Sequence, residues 1–63
     1  MMARKPPSVL IVDDEPLARS RLKALCERTR LFGKIELAIG GRQALEKIRK
    51  LQPEILLLDV DMP

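Results

Sequence analysis

Two short runs of consecutive apolar residues, each followed directly by aspartates, place the strongest constraint on how this chain of 63 residues folds. Val9–Val12 precedes Asp13 and Asp14, and Ile55–Leu58 precedes Asp59. Apolar runs that do not alternate with polar residues are typical of parallel strands covered on both faces. We therefore predict two buried parallel strands, the later of them central in its sheet, with crossover connections in the intervening chain.

The residues that follow Asp14 predict an amphipathic helix. Pro16 fits the first turn of a helix, where its missing N–H is no loss, and Gly33 is expected to close the helix. At helical spacing, the inner face would consist of Ala18, Leu22, Leu25 and Thr29, and the outer face of Arg19, Lys23, Glu27 and Arg30. Cys26 is interpreted as a small core residue without a chemical role.

A second strand and a second helix complete the pattern. Residues 34–38 alternate between apolar and polar side chains, which indicates a strand that is partly exposed and lies at a sheet edge. A helix is predicted over residues 43–50, and Pro53 prevents its continuation. The inner face of this helix would consist of Ala44, Leu45, Ile48 and Leu51.

The predicted order of elements is β-α-β-α-β, which gives an α/β fold with a parallel sheet and right-handed crossovers. If the two helices cover opposite faces, the strand order is 2-1-3, and this order places the alternating strand at an edge. Neighbouring connections then leave strands one and three in opposite directions, which creates the switch point where ligands usually bind. Both groups of aspartates fall at this point.

Composition excludes several kinds of site. One Cys and no His cannot form an internal disulfide or a zinc cluster, whereas oxygen-ligated metals remain open. The 12 basic residues outnumber the 9 acidic ones, but they are scattered, and without Trp or Tyr they do not indicate a nucleic-acid surface.

No apolar run approaches the ~20 residues that span a bilayer, and residues 1–7 are expected to form a flexible basic arm rather than a signal peptide. We therefore expect a cytoplasmic protein with no membrane partner.

Four carboxyl groups follow the two apolar strands. Asp13 and Asp14 follow the first strand, and Asp59 and Asp61 follow the third, so the topology brings them to one end of the sheet. Their mutual repulsion calls for a cation, and an all-oxygen cluster suits Mg²⁺ or Mn²⁺. Equally open is the alternative that the first pair caps the helix and the second pair occupies a turn.

A carboxylate beside a metal at a strand end has a known chemical use. It can attack a phosphoryl group while the cation neutralises charge on the phosphoryl oxygens. Asp59 is the better candidate for this nucleophile, because the apolar run before it would hold it rigidly on a buried strand. Asp61 lies further along the loop.

Two stretches of the sequence, VLIVDDEPLAR at residues 9–19 and ILLLDVDMP at the C-terminal end, together resemble the receiver domain of response regulators in two-component signalling. The resemblance implies that Asp59 accepts a phosphoryl group from a histidine kinase. It also implies that Mg²⁺ is bound by Asp14 directly, by Asp13 largely through water, by Asp59, and by the backbone carbonyl of Asp61.

The resemblance covers residues 8–63 and implies a partial receiver, the N-terminal half of a flavodoxin-like doubly wound sheet that stops before the expected third helix. The hydroxyl residue and the lysine that contact the phosphoryl group in family receivers have no counterparts here. Residues 15–19 (EPLAR) resemble receivers joined to a LytTR-type DNA-binding domain, so DNA would be bound only by an output domain absent from this chain. If the 63 residues exist alone, self-association through the exposed edge of strand three is expected.

Two other interpretations use the same residues. The strand end LLLDVD also resembles the nucleophile motif of haloacid-dehalogenase-type phosphatases, in which Asp61 would be the general acid and base. That motif normally lies on the first strand, however, and it would leave Asp13 and Asp14 unexplained. The third interpretation is an interaction module that associates through its exposed half-core without any phosphoryl chemistry.

Overall fold

The computed structural model describes residues 5–59 as a three-stranded parallel sheet with two helices. The elements in chain order are β1 (Val9–Val12), α1 (Pro16–Thr29), β2 (Ile35–Ala38), α2 (Gly41–Leu51) and β3 (Ile55–Leu58). The sheet order is β2-β1-β3, and Val9 of β1 lies opposite Ile35 of β2 and Ile55 of β3. The predicted α/β class and the 2-1-3 strand order are confirmed, and they match the first half of a flavodoxin-like sheet.

β1 is the central strand and forms the middle of the core. Each of its four side chains is at most 1% exposed. Successive side chains of a strand point to opposite faces of the sheet, so Ile11 packs with Cys26 on the α1 face, whereas Leu10 packs with Ala44 on the α2 face. The two helices therefore cover opposite faces, which is the arrangement from which the strand order was deduced.

The inner faces of the helices differ from the prediction at Thr29, which ends α1 and is exposed, and at two leucines. Leu25 in α1 is 56% exposed and Leu45 in α2 is 62% exposed, although the apolar pattern assigns both to the core. The faces that pack on the sheet are defined instead by residues four apart, which are Leu22 with Cys26 and Ala44 with Ile48. Each exposed leucine is adjacent in sequence to a buried residue and lies about 100° further around the helix. Cys26 is a buried free thiol, as its interpretation as a core residue predicts.

α1 ends earlier than expected, and Gly33 has a different role from closing the helix. The helix ends at Thr29, and Arg30 adopts a left-handed backbone conformation with φ of 58°. The N–H of Gly33 donates to the carbonyl of Pro7 at 2.9 Å, and a Cβ at Gly33 would lie 3.0 Å from the carbonyl oxygen of Pro6. The missing side chain at Gly33 therefore allows the segment before β1 to approach this loop.

The outer edge of β2 is bonded to side chains of α2. Lys47 Nζ donates to the carbonyl of Leu37, and the N–H of Ile39 donates to Gln43 Oε1 at 2.9 Å. β2 lies at the edge of the sheet, as its alternating sequence predicts. The helix that covers one face of the sheet thus also bonds one outward carbonyl of β2 and the N–H that directly follows the strand.

β3 forms the opposite edge of the described sheet. Its apolar sequence predicts a central strand, but within residues 5–59 it pairs with β1 alone. Leu56 and Leu58 are consequently 41% and 57% exposed. None of the helices in the described part of the chain is long and apolar enough to cross a membrane.

Candidate functional site

Asp13, Asp14 and Asp59 meet at the carboxyl edge of the sheet. One carboxylate oxygen of each residue lies within 4.8 Å of those of the other two. β1 and β3 are paired in register up to their last residues, so the residues that follow the two strands emerge at the same place. The structure therefore brings together three of the four aspartates that the sequence singles out. Asp61 lies outside the described residues.

Asp13 is the buried member of this group, with 3% of its surface exposed. Its N–H donates to the carbonyl of Ala38 at 3.1 Å, and its Oδ1 accepts the N–H of Glu15 at 2.9 Å. The second bond closes a local turn of the kind that aspartates form with the backbone two residues further on. Because a carboxylate offers about four lone-pair sites, this turn uses only part of the acceptor capacity of Asp13.

The alternative interpretation, in which Asp13 and Asp14 cap α1, agrees with the structure only in part. The N-cap residue of α1 is Glu15, and no side chain caps the helix by a hydrogen bond. Asp13 orders the loop before the helix, whereas the side chain of Asp14 is exposed and forms no hydrogen bond with another residue between positions 5 and 59. Capping therefore does not explain why Asp14 lies beside two other carboxylates.

Asp59 is partly exposed and directly follows β3. Its backbone N–H donates to the carbonyl of Val12 at 3.2 Å, which extends the pairing of β3 with β1 by one residue. The sheet thus fixes the backbone of Asp59 while its side chain remains accessible. A fixed and accessible carboxylate is what attack on an external phosphoryl group requires.

Arg19 contacts this group, although the helical pattern assigns it to the outer face of α1. Its Nη1 donates to the backbone carbonyl of Asp13 at 2.7 Å, and the residue is partly buried. The position of Arg19 in the sequence, close to the start of α1, is the signal that could have indicated this contact. Helical side chains lean towards the N-terminus of the helix, so a long arginine near the first turn can reach the loop that precedes α1.

The three carboxylates fit a hard divalent cation. Like charges at this separation disfavour one another unless a cation offsets them. Carboxylate oxygens without His or Cys are the ligands that Mg²⁺ and Mn²⁺ prefer, and the cluster consists of such oxygens alone. The donor set of Asp13, Asp14 and Asp59 is therefore suitable for Mg²⁺.

Fold and site together define a class of protein, in which a parallel α/β sheet carries a group of carboxylates at its switch point. The family model of the response regulator receiver domain matches residues 9–63. The chain belongs to the response regulator receiver domain family, so the receiver interpretation of the sequence is confirmed and the dehalogenase interpretation is set aside. Receiver domains are regulatory, generally bind Mg²⁺ through acidic residues, and are generally phosphorylated by histidine kinases.

The chain is similar to parts of much longer curated proteins. It is 41% identical over 63 residues to protein-glutamate methylesterase/protein-glutamine glutaminase 3 of Paramagnetospirillum magneticum, an alignment that covers 100% of this chain and 18% of the relative. It is 49% identical over 57 residues to the positive alginate biosynthesis regulatory protein of Pseudomonas aeruginosa, with 89% of this chain and 23% of the relative covered. The chain thus spans about a fifth of the length of these relatives. No solved structure matches it at a significant level.

Proposed function

We propose that this chain is the phosphoacceptor receiver of a two-component response regulator and that Asp59 accepts the phosphoryl group from a histidine kinase. The observation that carries the proposal is the meeting of Asp13, Asp14 and Asp59 within 4.8 Å at the carboxyl edge of a receiver-family sheet. The free thiol of Cys26 is buried and suits a reducing compartment. We therefore place the protein in the cytoplasm.

Asp59 is assigned as the nucleophile because the sheet holds its backbone and its side chain is partly exposed. In the proposed step, a carboxylate oxygen of Asp59 forms a bond to phosphorus while the bond from phosphorus to the imidazole nitrogen of the kinase breaks. The nitrogen retains the electron pair of that bond and takes up a proton. Asp59 becomes an acyl phosphate, which is the signal that the receiver carries.

Asp13, Asp14 and Asp59 would hold one Mg²⁺, with Asp14 bound directly and Asp13 acting largely through water. The exposure of the side chains agrees with these assignments, since Asp14 is exposed, whereas Asp13 is buried and already accepts the N–H of Glu15. The backbone carbonyl of Asp61, which lies outside the described residues, completes the proposed ligand set. When bound, Mg²⁺ neutralises charge on the phosphoryl oxygens.

Phosphoryl labelling of the full chain tests the assignment of Asp59. With phosphoramidate as a small donor and Mg²⁺ present, Asp59→Asn should abolish labelling, because the neutral amide is a far weaker nucleophile than a carboxylate. Asp61→Asn is the matched control and should retain most of the labelling, since only the backbone carbonyl of Asp61 has an assigned role. Equal loss of labelling in the two variants would contradict the proposal that Asp59 alone accepts the phosphoryl group.

The output that this receiver controls is proposed to be DNA binding. The support is the resemblance of residues 15–19 to receivers joined to a LytTR-type domain, together with a relative that is named a regulatory protein. A second candidate is hydrolysis of glutamyl methyl esters, since another relative is named a protein-glutamate methylesterase. Salt-dependent DNA binding by the complete polypeptide would support the first candidate, and release of methanol from a methylated protein would support the second.

A polypeptide that consists of these 63 residues alone is proposed to pair with a second copy through β3. The edge of β2 receives cover at its C-terminal end, from Lys47 on the carbonyl of Leu37 and from Gln43 on the N–H of Ile39, whereas β3 carries the exposed side chains of Leu56 and Leu58. An apolar strand edge without such cover pairs readily with another strand. The two open edges would meet across a two-fold axis, the commonest symmetry of oligomers.

A further inference from the structure

We infer that Arg19 is a positioning residue of the proposed phosphoacceptor site, where it fixes the peptide that joins Asp13 to Asp14. The inference rests on the proposed function, because it concerns the same carboxylates. Its basis is the hydrogen bond from Arg19 Nη1 to the backbone carbonyl of Asp13 at 2.7 Å. No other side chain in the described part of the chain donates to a backbone group of Asp13 or Asp14.

The bond from Arg19 satisfies a backbone carbonyl, that of Asp13, for which the sheet has no donor. The N–H of Asp13 donates to Ala38, which is the last residue of β2. The chain then turns away into α2, so β2 offers no further strand donor to the carbonyl of Asp13. Asp13 is nearly inaccessible to solvent, and a buried carbonyl without a partner is costly. Arg19 supplies that partner from α1.

The bond from Arg19 constrains the backbone at Asp14. The carbonyl of Asp13 and the N–H of Asp14 belong to one planar peptide unit, so fixing the carbonyl fixes the direction in which the chain enters Asp14. The carboxylate of Asp14 has no hydrogen bond of its own within residues 5–59. The backbone therefore sets the point from which this side chain extends towards Asp13 and Asp59, and the rotamers of Asp14 are the freedom that remains.

Two effects of Arg19 oppose each other in cation binding. Its positive charge lies near the carboxylates and disfavours Mg²⁺, whereas its hydrogen bond arranges the carboxylates that hold Mg²⁺. Loss of partners that orient metal ligands typically lowers metal affinity by roughly 10–100-fold, and a single partly exposed charge is strongly screened by solvent and salt. We therefore expect the positioning effect to dominate.

Arginine variants of the full chain separate these effects. Arg19→Met should weaken Mg²⁺ binding about tenfold and should lower the rate of Asp59 labelling from phosphoramidate. Arg19→Lys keeps the charge and one strong donor, so it should restore part of both quantities. Arg21→Met removes a charge from the exposed side of the same helix and should change Mg²⁺ affinity less than about twofold, because its charge is screened.

A spectroscopic measurement distinguishes positioning from a general loss of stability. In the metal-free protein, Arg19→Met should shift the carbonyl ¹³C resonance of Asp13 and the amide resonance of Asp14, whereas Arg21→Met should leave both unchanged. If the unsubstituted protein binds Mg²⁺ and Arg19→Met binds it equally well, this inference is wrong and the proposed function stands. If the unsubstituted protein binds no Mg²⁺, both are wrong.

Discussion

Asp14 gives the sharpest test of the metal site at the scale of single residues. It is exposed and its side chain has no hydrogen bond within residues 5–59, so Asp14→Asn should change ligand charge without disturbing the fold. Asp14 is proposed as a direct ligand of Mg²⁺. Loss of a group that only orients a ligand typically lowers metal affinity by roughly 10–100-fold, so loss of the ligand charge itself should lower Mg²⁺ affinity roughly tenfold or more. Calorimetric titration of the full chain with Mg²⁺ measures this change.

Glu15 provides the control for that experiment. It is also exposed and acidic, but it lies outside the group of three carboxylates. Glu15→Gln removes the same charge one position further along and keeps the backbone N–H that donates to Asp13. If Asp14→Asn and Glu15→Gln weaken Mg²⁺ binding equally, the cation responds to the general negative charge of this loop. That result would contradict a defined ligand set of Asp13, Asp14 and Asp59.

The sequence predicts the meeting of the aspartates but not the contact of Arg19. Asp13 and Asp59 follow strands whose order and direction can be deduced from the apolar runs, and paired parallel strands deliver their next residues to one edge. Periodicity along a helix places the Cα of Arg19 on an outer face, yet it does not say where a long side chain ends. Contacts made by the tips of flexible side chains therefore need the three-dimensional structure.

At the scale of elements, the helices too can be predicted from the sequence only in part. Their number, order and approximate extent can be read from the sequence, and α2 begins at Gly41 and ends at Leu51 against a predicted range of 43–50. Leu25 and Leu45 are exposed in spite of their predicted inner positions. Each helix packs on a short sheet along a narrow stripe of residues four apart, so a neighbouring leucine falls outside the contact. The apolar pattern does not reveal how wide the covered stripe is.

Lys47 links α2 to the edge of β2, and its removal should destabilise that edge. Lys47→Met keeps most of the aliphatic stem but loses the hydrogen bond to the carbonyl of Leu37. We expect a loss of about 1 kcal/mol in the free energy of unfolding, as for a typical intramolecular hydrogen bond, together with more aggregation through the uncovered edge. Urea unfolding and light scattering of the full chain measure the two effects.

Lys50→Met is the matched variant for Lys47→Met. Lys50 lies on the same helix and is exposed, so its replacement changes charge and hydrophobicity by the same amount without uncovering the strand. If the two variants show equal stability and equal scattering, the bond from Lys47 does not protect the edge of β2.

At the scale of the whole molecule, burial among residues 5–59 is uneven from one edge of the sheet to the other. Leu56 and Leu58 lie opposite Leu10 and Val12 in the parallel register, so they belong to the face that α2 covers. α2 packs on β1 and β2, and the two leucines of β3 extend beyond its reach. The described residues therefore leave an apolar surface and an open strand edge on the same side of the sheet.

A polypeptide of these 63 residues alone should therefore form a dimer in which β3 pairs with β3 in antiparallel fashion. Full burial of a leucine is worth about 1.5–3 kcal/mol, so covering two side chains that are 41% and 57% exposed favours association appreciably in a chain whose own stability is expected to be small. Analytical ultracentrifugation at micromolar concentration should show the dimer. Leu56→Lys should shift it to monomer by placing a charge at the edge, whereas Leu25→Lys, at a similarly exposed position on α1, should not. A folded monomer whose cooperative unfolding is independent of concentration would refute pairing through β3.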